Sequence, residues 1–482
     1  MTIAPRRPQH GPPGRPGRRP RPAPLYGPGL DGDALPALYE RLRAEHGPVA
    51  PVALAPGVHA WLVLGYRELL RVAREEQDFS HDPRRWNLLH EGRLPPDSPL
   101  LPFVGWRPAL MFADGRQHRR MRAAVADALE GGAPRGDDGG RLGRTVREVA
   151  GRLVDSFAAR READLVPHYA HKLSSRVLAR LLGGDDRAGG KLADAVAGTA
   201  AATADSADAS RRMGRVLLAL IQEKRRRPGD DVTSRLLAHP AGLSDEEVLH
   251  NLAVTVVAGT QTTRNWIATT LRVLLTDAEL RSSVEDGRTT VDDALEAVLW
   301  RFPPTQNFPA RYAVRDLRFG GQDVRAGDML VLGLAAANTD PEVLPGGGRP
   351  VTGNRAHMAF GAGPHACPAR EQARLITRTA VTVLRERLPD MRLAVPEDRL
   401  VWASSPWTRG LAALPVRFTA PHAARRTAAR PAPGAGRTAT GSRTGFSADS
   451  SQPRNHPAIP RSASSSGTET QGSSPFFKPV DE

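Results

Sequence analysis

The sequence contains a single cysteine, Cys367, among its 482 residues. One cysteine cannot form a disulfide within the chain, which excludes a disulfide-stapled secreted domain and is typical of the reducing cytoplasm. No apolar run reaches the roughly 18 residues of a membrane-spanning helix, and residues 1–24 lack the apolar core of a signal peptide. We therefore expect a cytoplasmic protein with no membrane span.

Lysine is also scarce, since only four of the 67 basic residues are lysines. The formal charge is +15, and most of the excess lies near the two ends. The end segments are rich in Pro, Gly, Ser and Arg and poor in large apolar residues, so burial cannot offset the entropy cost of ordering them. We predict disordered tails at 1–24 and 420–482 around one folded domain over 25–419. No base-reading motif accompanies the arginines, so we expect no nucleic-acid partner.

Helical periodicity dominates the folded domain, with short strand-like runs such as VHAWLVLG and DMLVLGLA. A capping box at Ser244 and Glu247 predicts a helix of about thirty residues. The middle of this helix is apolar on nearly every face, so we expect it to be buried and to be interrupted at Gly259. The fold class predicted is mainly α with small β-sheets.

A second helix is predicted directly after Cys367, because Pro368 suits a first helical position and an apolar stripe follows. The positive end of a helix dipole and free backbone amides both lower the pKa of a cysteine placed there. Gly361 and Gly363 let the backbone curl close to whatever the sulfur binds. The sulfur is therefore predicted to be a ligand or a nucleophile.

Several roles for Cys367 compete. A zinc site needs about four ligands, and only His365 stands nearby, so zinc is rejected. A nucleophile needs a positioned base, for which there is no local signature. GAGPHA imitates a dinucleotide-binding fingerprint, but the run before it is short and polar. A structural cysteine is the usual role of a lone Cys, but it leaves the neighbouring glycines and histidine unexplained.

FGAGPHAC, residues 360–367, matches the FGxGxHxC haem-binding loop and resembles the cytochrome P-450 monooxygenases. The resemblance implies a haem b cofactor with the Cys367 thiolate as axial iron ligand, whose electron donation favours O–O cleavage. It also implies that Phe360, Gly361, Gly363 and His365 belong to the haem-binding loop.

Distant segments resemble the same family in the same order. ADGRQHRRMR (113–122) resembles the HxxxR helix that binds a haem propionate, which implies that role for His118 and Arg122. NFPARYAVRD resembles the family's strand that carries a second propionate-binding arginine, which implies that role for Arg311. ANTDP (337–341) resembles the family's ANRDP turn. The resemblance therefore implies a cytochrome P-450 fold over the whole folded domain.

AGTQTT, residues 258–263, resembles the family's AGx(D/E)TT. The resemblance implies that Gly259 opens the helix over the iron and that Thr262, with a neighbouring acid, relays protons to bound dioxygen. In this sequence the acid is replaced by Gln261, which can orient water but cannot titrate. We therefore predict altered proton delivery.

The family's ExxR pair is also missing, because Ala297 and Trp300 occupy the positions that best match it. Glu296 and Arg301 lie about 140° apart around a helix, so we predict that they do not pair. Replacing both members of a buried ion pair by apolar groups can be nearly neutral. Ala369 also stands where the family usually has glycine, and the chain resembles a minority of actinobacterial P-450 sequences that lack ExxR.

The function implied is insertion of one atom of dioxygen into an apolar small molecule, with electrons from NAD(P)H through a ferredoxin reductase and a ferredoxin. Arg370, Arg374 and Arg378 follow one another at helical spacing and predict either a ferredoxin-docking stripe or a plain solvated face. Substrate contacts are predicted in residues 85–110 and 306–308 and at Pro406 and Trp407. The alternative is a haem protein with impaired oxygenation that serves as a partner or sensor.

Overall fold

Helices make up most of the computed structural model, which describes residues 22–419 except 28, 31–33, 95–97, 99, 132–139, 201–205 and 345–352. The predicted tails therefore lie almost wholly outside the described residues. In chain order the helices are α1 (Ala34–His46), α2 (Tyr66–Arg74), α3 (Asn87–His90), α4 (Leu101–Val104), α5 (Gly115–Glu130), α6 (Gly140–Ala158), α7 (His171–Leu181), α8 (Asp186–Ala200), α9 (Ser206–Arg226), α10 (Val232–Ala238), α11 (Asp245–Thr276), α12 (Ala278–Glu285), α13 (Val291–Arg301), α14 (Leu334–Asn338) and α15 (Arg370–Arg387).

The strands are short and form small sheets, as predicted. They are β1 (Ala23–Pro24), β2 (Val49–Ala55), β3 (Val58–Val63), β4 (Phe79–Ser80), β5 (Glu162–Asp164), β6 (Phe308–Ala313), β7 (Leu317–Phe319), β8 (Gln322–Val324), β9 (Met329–Leu332), β10 (Arg392–Leu393) and β11 (Pro415–Arg417). The largest sheet has the order β1-β2-β3-β9-β6-β4, and β10-β11-β5 and β7-β8 form the others. Because β1 pairs with β2, the sheet begins two residues before the predicted domain start.

Helix α11 crosses the domain. Its predicted capping box is confirmed, since the amide of Glu247 donates to Ser244 Oγ at 3.1 Å and the Ser244 amide donates to Glu247 Oε2 at 2.9 Å. At 32 residues it is about 48 Å long. Its two halves pack into different apolar clusters, one with α5 and α7–α10 and one with α6 and α15. It therefore serves as the central support of the fold.

The predicted interruption of α11 at Gly259 is wrong, because the helix is unbroken from Asp245 to Thr276. The Thr262 hydroxyl donates to the Ala258 carbonyl at 2.6 Å, one turn back, and does not open the helix. A Cβ at Gly259 would lie 3.2 Å from Leu178 Cδ2, so the glycine lets α7 approach closely. The middle of the helix is less buried than predicted, since Ala258 is exposed.

Helix α15 begins at Arg370, two residues later than predicted, with Ala369 as its N-cap residue. It packs against α6, α11 and α13. Cys367 therefore lies just before a helix that is enclosed on several sides. No helix among the described residues is both long enough and apolar enough to cross a membrane.

Candidate functional site

The loop before α15 presents Cys367 on a tightly constrained backbone. It begins with a single 3-10 turn, Met358–Phe360, and then reverses through Gly361 and Gly363, whose φ angles are +67° and +69°. A Cβ at Gly363 would lie 2.1 Å from the Ala73 carbonyl oxygen, so that position accepts only glycine. The amide of Cys367 donates to the Phe360 carbonyl at 2.8 Å, which closes the loop under the sulfur.

Two opposing influences set the pKa of Cys367. Burial raises the pKa above that of a free thiol and outweighs the rest. The Ala369 amide donates to the sulfur, and the charges of Arg122 and Arg370 act in the same direction, toward the thiolate. The predicted thiolate-stabilising groups are therefore present, but burial dominates. Coordination to a metal ion deprotonates a cysteine thiol outright, so the raised pKa does not prevent Cys367 from serving as a metal ligand.

A stack of three imidazole rings lies beside the loop. The ring of His365 is sandwiched between His81 and His118, with centroids 3.3 and 3.6 Å apart. Asp114 accepts a hydrogen bond from His81, whose Nδ1 lies 3.0 Å from the carboxylate. Burial lowers the pKa of all three histidines, and the charge of the nearby buried Arg311 adds to this effect. We call His81, His118, His365 and Arg311 the donor cluster.

The donor cluster carries hydrogen-bonding nitrogens that the protein leaves unused. Burial, together with neighbouring arginine charge, lowers the pKa of His118 to about 4 and that of His365 further, so these rings are neutral at pH 7. Burial also lowers the pKa of Arg311 to about 10. Buried nitrogens with no hydrogen-bond partner include His81 Nε2, both ring nitrogens of His118, His365 Nε2 and Arg311 Nε. Buried donors need acceptors, so this cluster fits an anionic, oxygen-rich group.

A divalent cation is the competing ligand. Two sets of groups bring ligand atoms within 4.8 Å of one another, namely Glu76–His118–His365 and His81–Asp114–His365. The guanidinium of Arg311 opposes a cation at either set and favours an anion. The two propionate groups of a haem are such anions, and the neighbouring Cys367 supplies the sulfur that an iron ion accepts. The residues present therefore fit haem b.

The structure brings most of the predicted haem residues together. His118, Arg311 and His365 belong to the donor cluster, and Arg122 donates to the Ala366 carbonyl, beside Cys367. Sequence reasoning missed His81 and Asp114. The sequence gives little indication that these two residues belong to the site, because His81 is only the residue after strand β4 and Asp114 the residue before α5.

The end of the segment predicted to contact substrate, residues 85–110, lies against α11. The loop before α5 is fixed to this helix by Asn251, whose Oδ1 accepts from the Leu110 amide at 3.0 Å. Arg107 in the same loop lies over the Phe112 ring at 5.5 Å. Burial and the charge of Arg107 together lower the pKa of His250 on α11 to about 4. The Arg107 charge therefore lies close to a neutral histidine where this loop meets α11.

The low pKa of His250 predicts a loss of stability on acidification. The unfolded chain binds a proton at His250 near pH 6.5, but the folded chain binds it only near pH 4, so this contribution is complete above pH 6.5 and is lost below it. Between pH 7 and pH 5 we expect His250 to contribute about 2 kcal/mol of that loss. Urea unfolding of His250→Gln should show a shallower pH dependence, whereas His59→Gln, at an exposed position, should match the parent protein.

The predicted substrate contacts at 306–308 are only partly available. Gln306 is buried, and its Nε2 donates to the Ser405 carbonyl at 2.8 Å. Asn307 is also buried and donates to the Pro406 carbonyl at 2.6 Å. These two amides shape the loop around Pro406 and Trp407 and are not free to bind a substrate.

Two sequence interpretations near α13 change. The absence of a Glu296–Arg301 pair agrees with the prediction. Glu296 instead pairs with Arg374, whose Nη1 lies 2.5 Å from the Glu296 carboxylate. The predicted arginine stripe is wrong at Arg374, which is buried on the side of α15 that faces α13. Arg378 is partly exposed and pairs with Asp292 at 3.1 Å, and Arg370 is exposed.

Comparisons with known proteins agree with this site. No protein-family model matches the chain. The 2-hydroxy-5-methyl-1-naphthoate 7-hydroxylase of Streptomyces carzinostaticus is 31% identical over 399 residues, covering 78% of this chain and 93% of the relative. Cytochrome P-450 monooxygenase PikC of Streptomyces venezuelae is 32% identical over 399 residues, covering 79% and 90%. The solved structure of testerone-bound CYP154C4 from Streptomyces is similar with a TM-score of 0.76 at 28% identity, covering 83% of this chain and 99% of that one.

Proposed function

This chain belongs to the cytochrome P-450 family of haem-thiolate monooxygenases, and we propose that Cys367 is its axial iron ligand. The observation that carries the proposal is the placement of Cys367 beside the donor cluster, whose unused nitrogens suit the haem propionates. Haem b bound there supplies the activation of dioxygen. The protein's own part is to present the sulfur, bind the propionates and position the substrate near α11.

Gln261 and Thr262 are proposed to control water and protons on the α11 side. The Thr262 hydroxyl donates to the Ala258 carbonyl, so its oxygen remains able to accept a hydrogen bond from water. The Gln261 amide can orient such a water molecule but does not titrate, so it cannot relay a proton as a carboxylic acid does. We therefore propose that protons reach this site through water rather than through a side-chain acid.

Changing Gln261 to Glu is expected to raise the share of reducing equivalents that reaches product. A carboxylic acid can transfer a proton where an amide cannot, and general acid–base catalysis contributes about 10²- to 10⁴-fold in favourable sites. The measurement is product and peroxide formed per NAD(P)H consumed. Gln261→Asn, which keeps the amide, is the matched control. A fall in coupling for Gln261→Glu would contradict this account of proton delivery.

The proposed substrate is an apolar small molecule of secondary metabolism. The first relative described above is named as a naphthoate hydroxylase, and a related structure is named for its bound testerone. Turnover with steroids, flavonoids and macrolides, supported by a surrogate ferredoxin system, tests the proposal. Hydroxylated product is the expected result. Peroxide alone across the panel would instead support the alternative of a haem protein impaired in oxygenation.

A ferredoxin and its NAD(P)H-dependent reductase are the proposed electron source. Arg370 supports this partner, because it is exposed at the start of α15 and its charge acts on Cys367. An acidic ferredoxin would be steered by such a positive group. A cytoplasmic location is proposed with it, because a reducing compartment keeps the single cysteine available as a ligand.

A further inference from the structure

Three ionisable side chains from three separate segments meet inside the protein near the cysteine loop. Glu296 lies on α13, His357 immediately precedes the loop, and Arg374 lies on the first turns of α15. The Glu296 carboxylate lies 3.0 Å from His357 Nε2 and 2.5 Å from Arg374 Nη1. The three side chains are 5%, 2% and 9% exposed, in the same order. We call these residues the anchoring triad.

The anchoring triad contacts both ends of the cysteine loop. His357 caps the 3-10 turn whose last residue, Phe360, accepts the hydrogen bond from the Cys367 amide. Arg374 lies about one turn into the helix that follows the cysteine. Both side chains also pack on Phe360, His357 with its ring 5.9 Å away and Arg374 at 5.8 Å. Movement of either end would therefore displace the backbone beneath the sulfur.

Neighbouring contacts bind the same three segments together. Trp300, at the position where the family's arginine is missing, packs edge-on against His357 at 6.0 Å. Its indole nitrogen donates to the Asn354 carbonyl at 2.8 Å. Asn338 donates to the Leu299 carbonyl at 3.0 Å and accepts from the Met358 amide at 2.7 Å. The end of α13 is thus joined to the start of the loop at several points.

The charges of the triad depend on one another. Burial raises the pKa of Glu296, but the hydrogen bond with His357 and the charge of Arg374 lower it more, so the carboxylate stays ionised. A buried cation left without its carboxylate is strongly unfavourable and is relieved by movement toward water. Removing the charge of Glu296 would therefore release Arg374 and with it the start of α15.

We propose that the anchoring triad positions Cys367 for iron ligation, in place of the glutamate–arginine pair that α13 lacks. Its members are positioning residues, since the sulfur alone would contact the iron. The inference rests on the proposed ligand role of Cys367. It assigns a function to Glu296, His357 and Arg374 that no motif at their positions suggests.

The test is Glu296→Gln, which removes the charge but keeps the shape. We expect haem affinity to fall about 10- to 100-fold, as for other groups that orient a metal ligand. Among the molecules that retain haem, part of the ferrous carbon-monoxide spectrum should lose the red-shifted Soret band of thiolate ligation. The matched control is Asp292→Asn, which breaks the more exposed ion pair with Arg378 between the same two helices and should leave both measurements unchanged.

If Glu296→Gln does not fold, His357→Gln, which leaves the Glu296–Arg374 contact intact, is expected to give a smaller loss of the same band. A triad variant that folds and keeps the affinity and band of the Asp292→Asn protein overturns the proposal alone. Absence of the thiolate band from the unsubstituted protein overturns the ligand role of Cys367 and the triad's role together.

Discussion

Changing Cys367 to serine is expected to abolish product formation while the haem domain stays folded. A serine hydroxyl does not ionise near neutral pH and cannot donate electron density to iron as a thiolate does. The donor cluster is untouched by the substitution, so part of the haem affinity should remain. The measurements are product formation with a surrogate ferredoxin system and haem content after gel filtration.

Glu371→Gln is the matched control for this substitution, because it changes an exposed side chain in the first turn of α15. It should retain both activity and haem. Product formation by the Cys367→Ser protein at the rate of this control would contradict the role assigned to the sulfur. Complete loss of haem from Cys367→Ser would show that the donor cluster contributes little to binding.

Changing Arg311 to leucine is expected to weaken haem binding about 10- to 100-fold without destabilising the haem-free protein. The guanidinium is buried, and burial lowers its pKa to about 10, which shows that the folded protein disfavours its charge. A bound propionate offsets that cost, so the charge contributes in the complex and not in the haem-free fold. Transfer of haem to an acceptor protein measures the first effect, and thermal unfolding of the haem-free protein measures the second.

Arg315→Leu is the comparison, since Arg315 follows the same strand but pairs at the surface with Asp78 at 2.8 Å. Its haem affinity should equal that of the parent protein. Equal affinities for the Arg311 and Arg315 variants would contradict the assignment of the donor cluster to the propionates.

The sequence predicted those parts of the site that short motifs specify. The cysteine loop needs glycines at fixed distances in sequence from Cys367, because its backbone has positive φ at Gly361 and Gly363. Such a requirement can be recognised from the amino-acid sequence alone. Arg311 and His118 were identifiable because each sits at a fixed place in a strand or helix that resembles the family's. The capping box of α11 is likewise a local signal, and the structure confirms it.

The parts that sequence could not predict are tertiary. Glu296 and Arg374 meet because α13 packs against α15, and a helical pattern alone does not say which face is covered. For the same reason the sequence predicted an exposed arginine stripe along α15, although Arg374 is buried. His81 joins the donor cluster through the pairing of β4 with β6, which no local pattern near it indicates. The prediction of a break in α11 at Gly259 was wrong because this glycine instead makes room for the Leu178 side chain.

The ferrous carbon-monoxide spectrum of the unsubstituted, haem-loaded protein tests the central claim most directly. Thiolate ligation by Cys367, the chain's single cysteine, predicts a strongly red-shifted Soret band that disappears in Cys367→Ala. A band at the position typical of histidine-ligated or thiol-ligated haem, or an unchanged red-shifted band in Cys367→Ala, would contradict the assignment of Cys367 as the iron ligand.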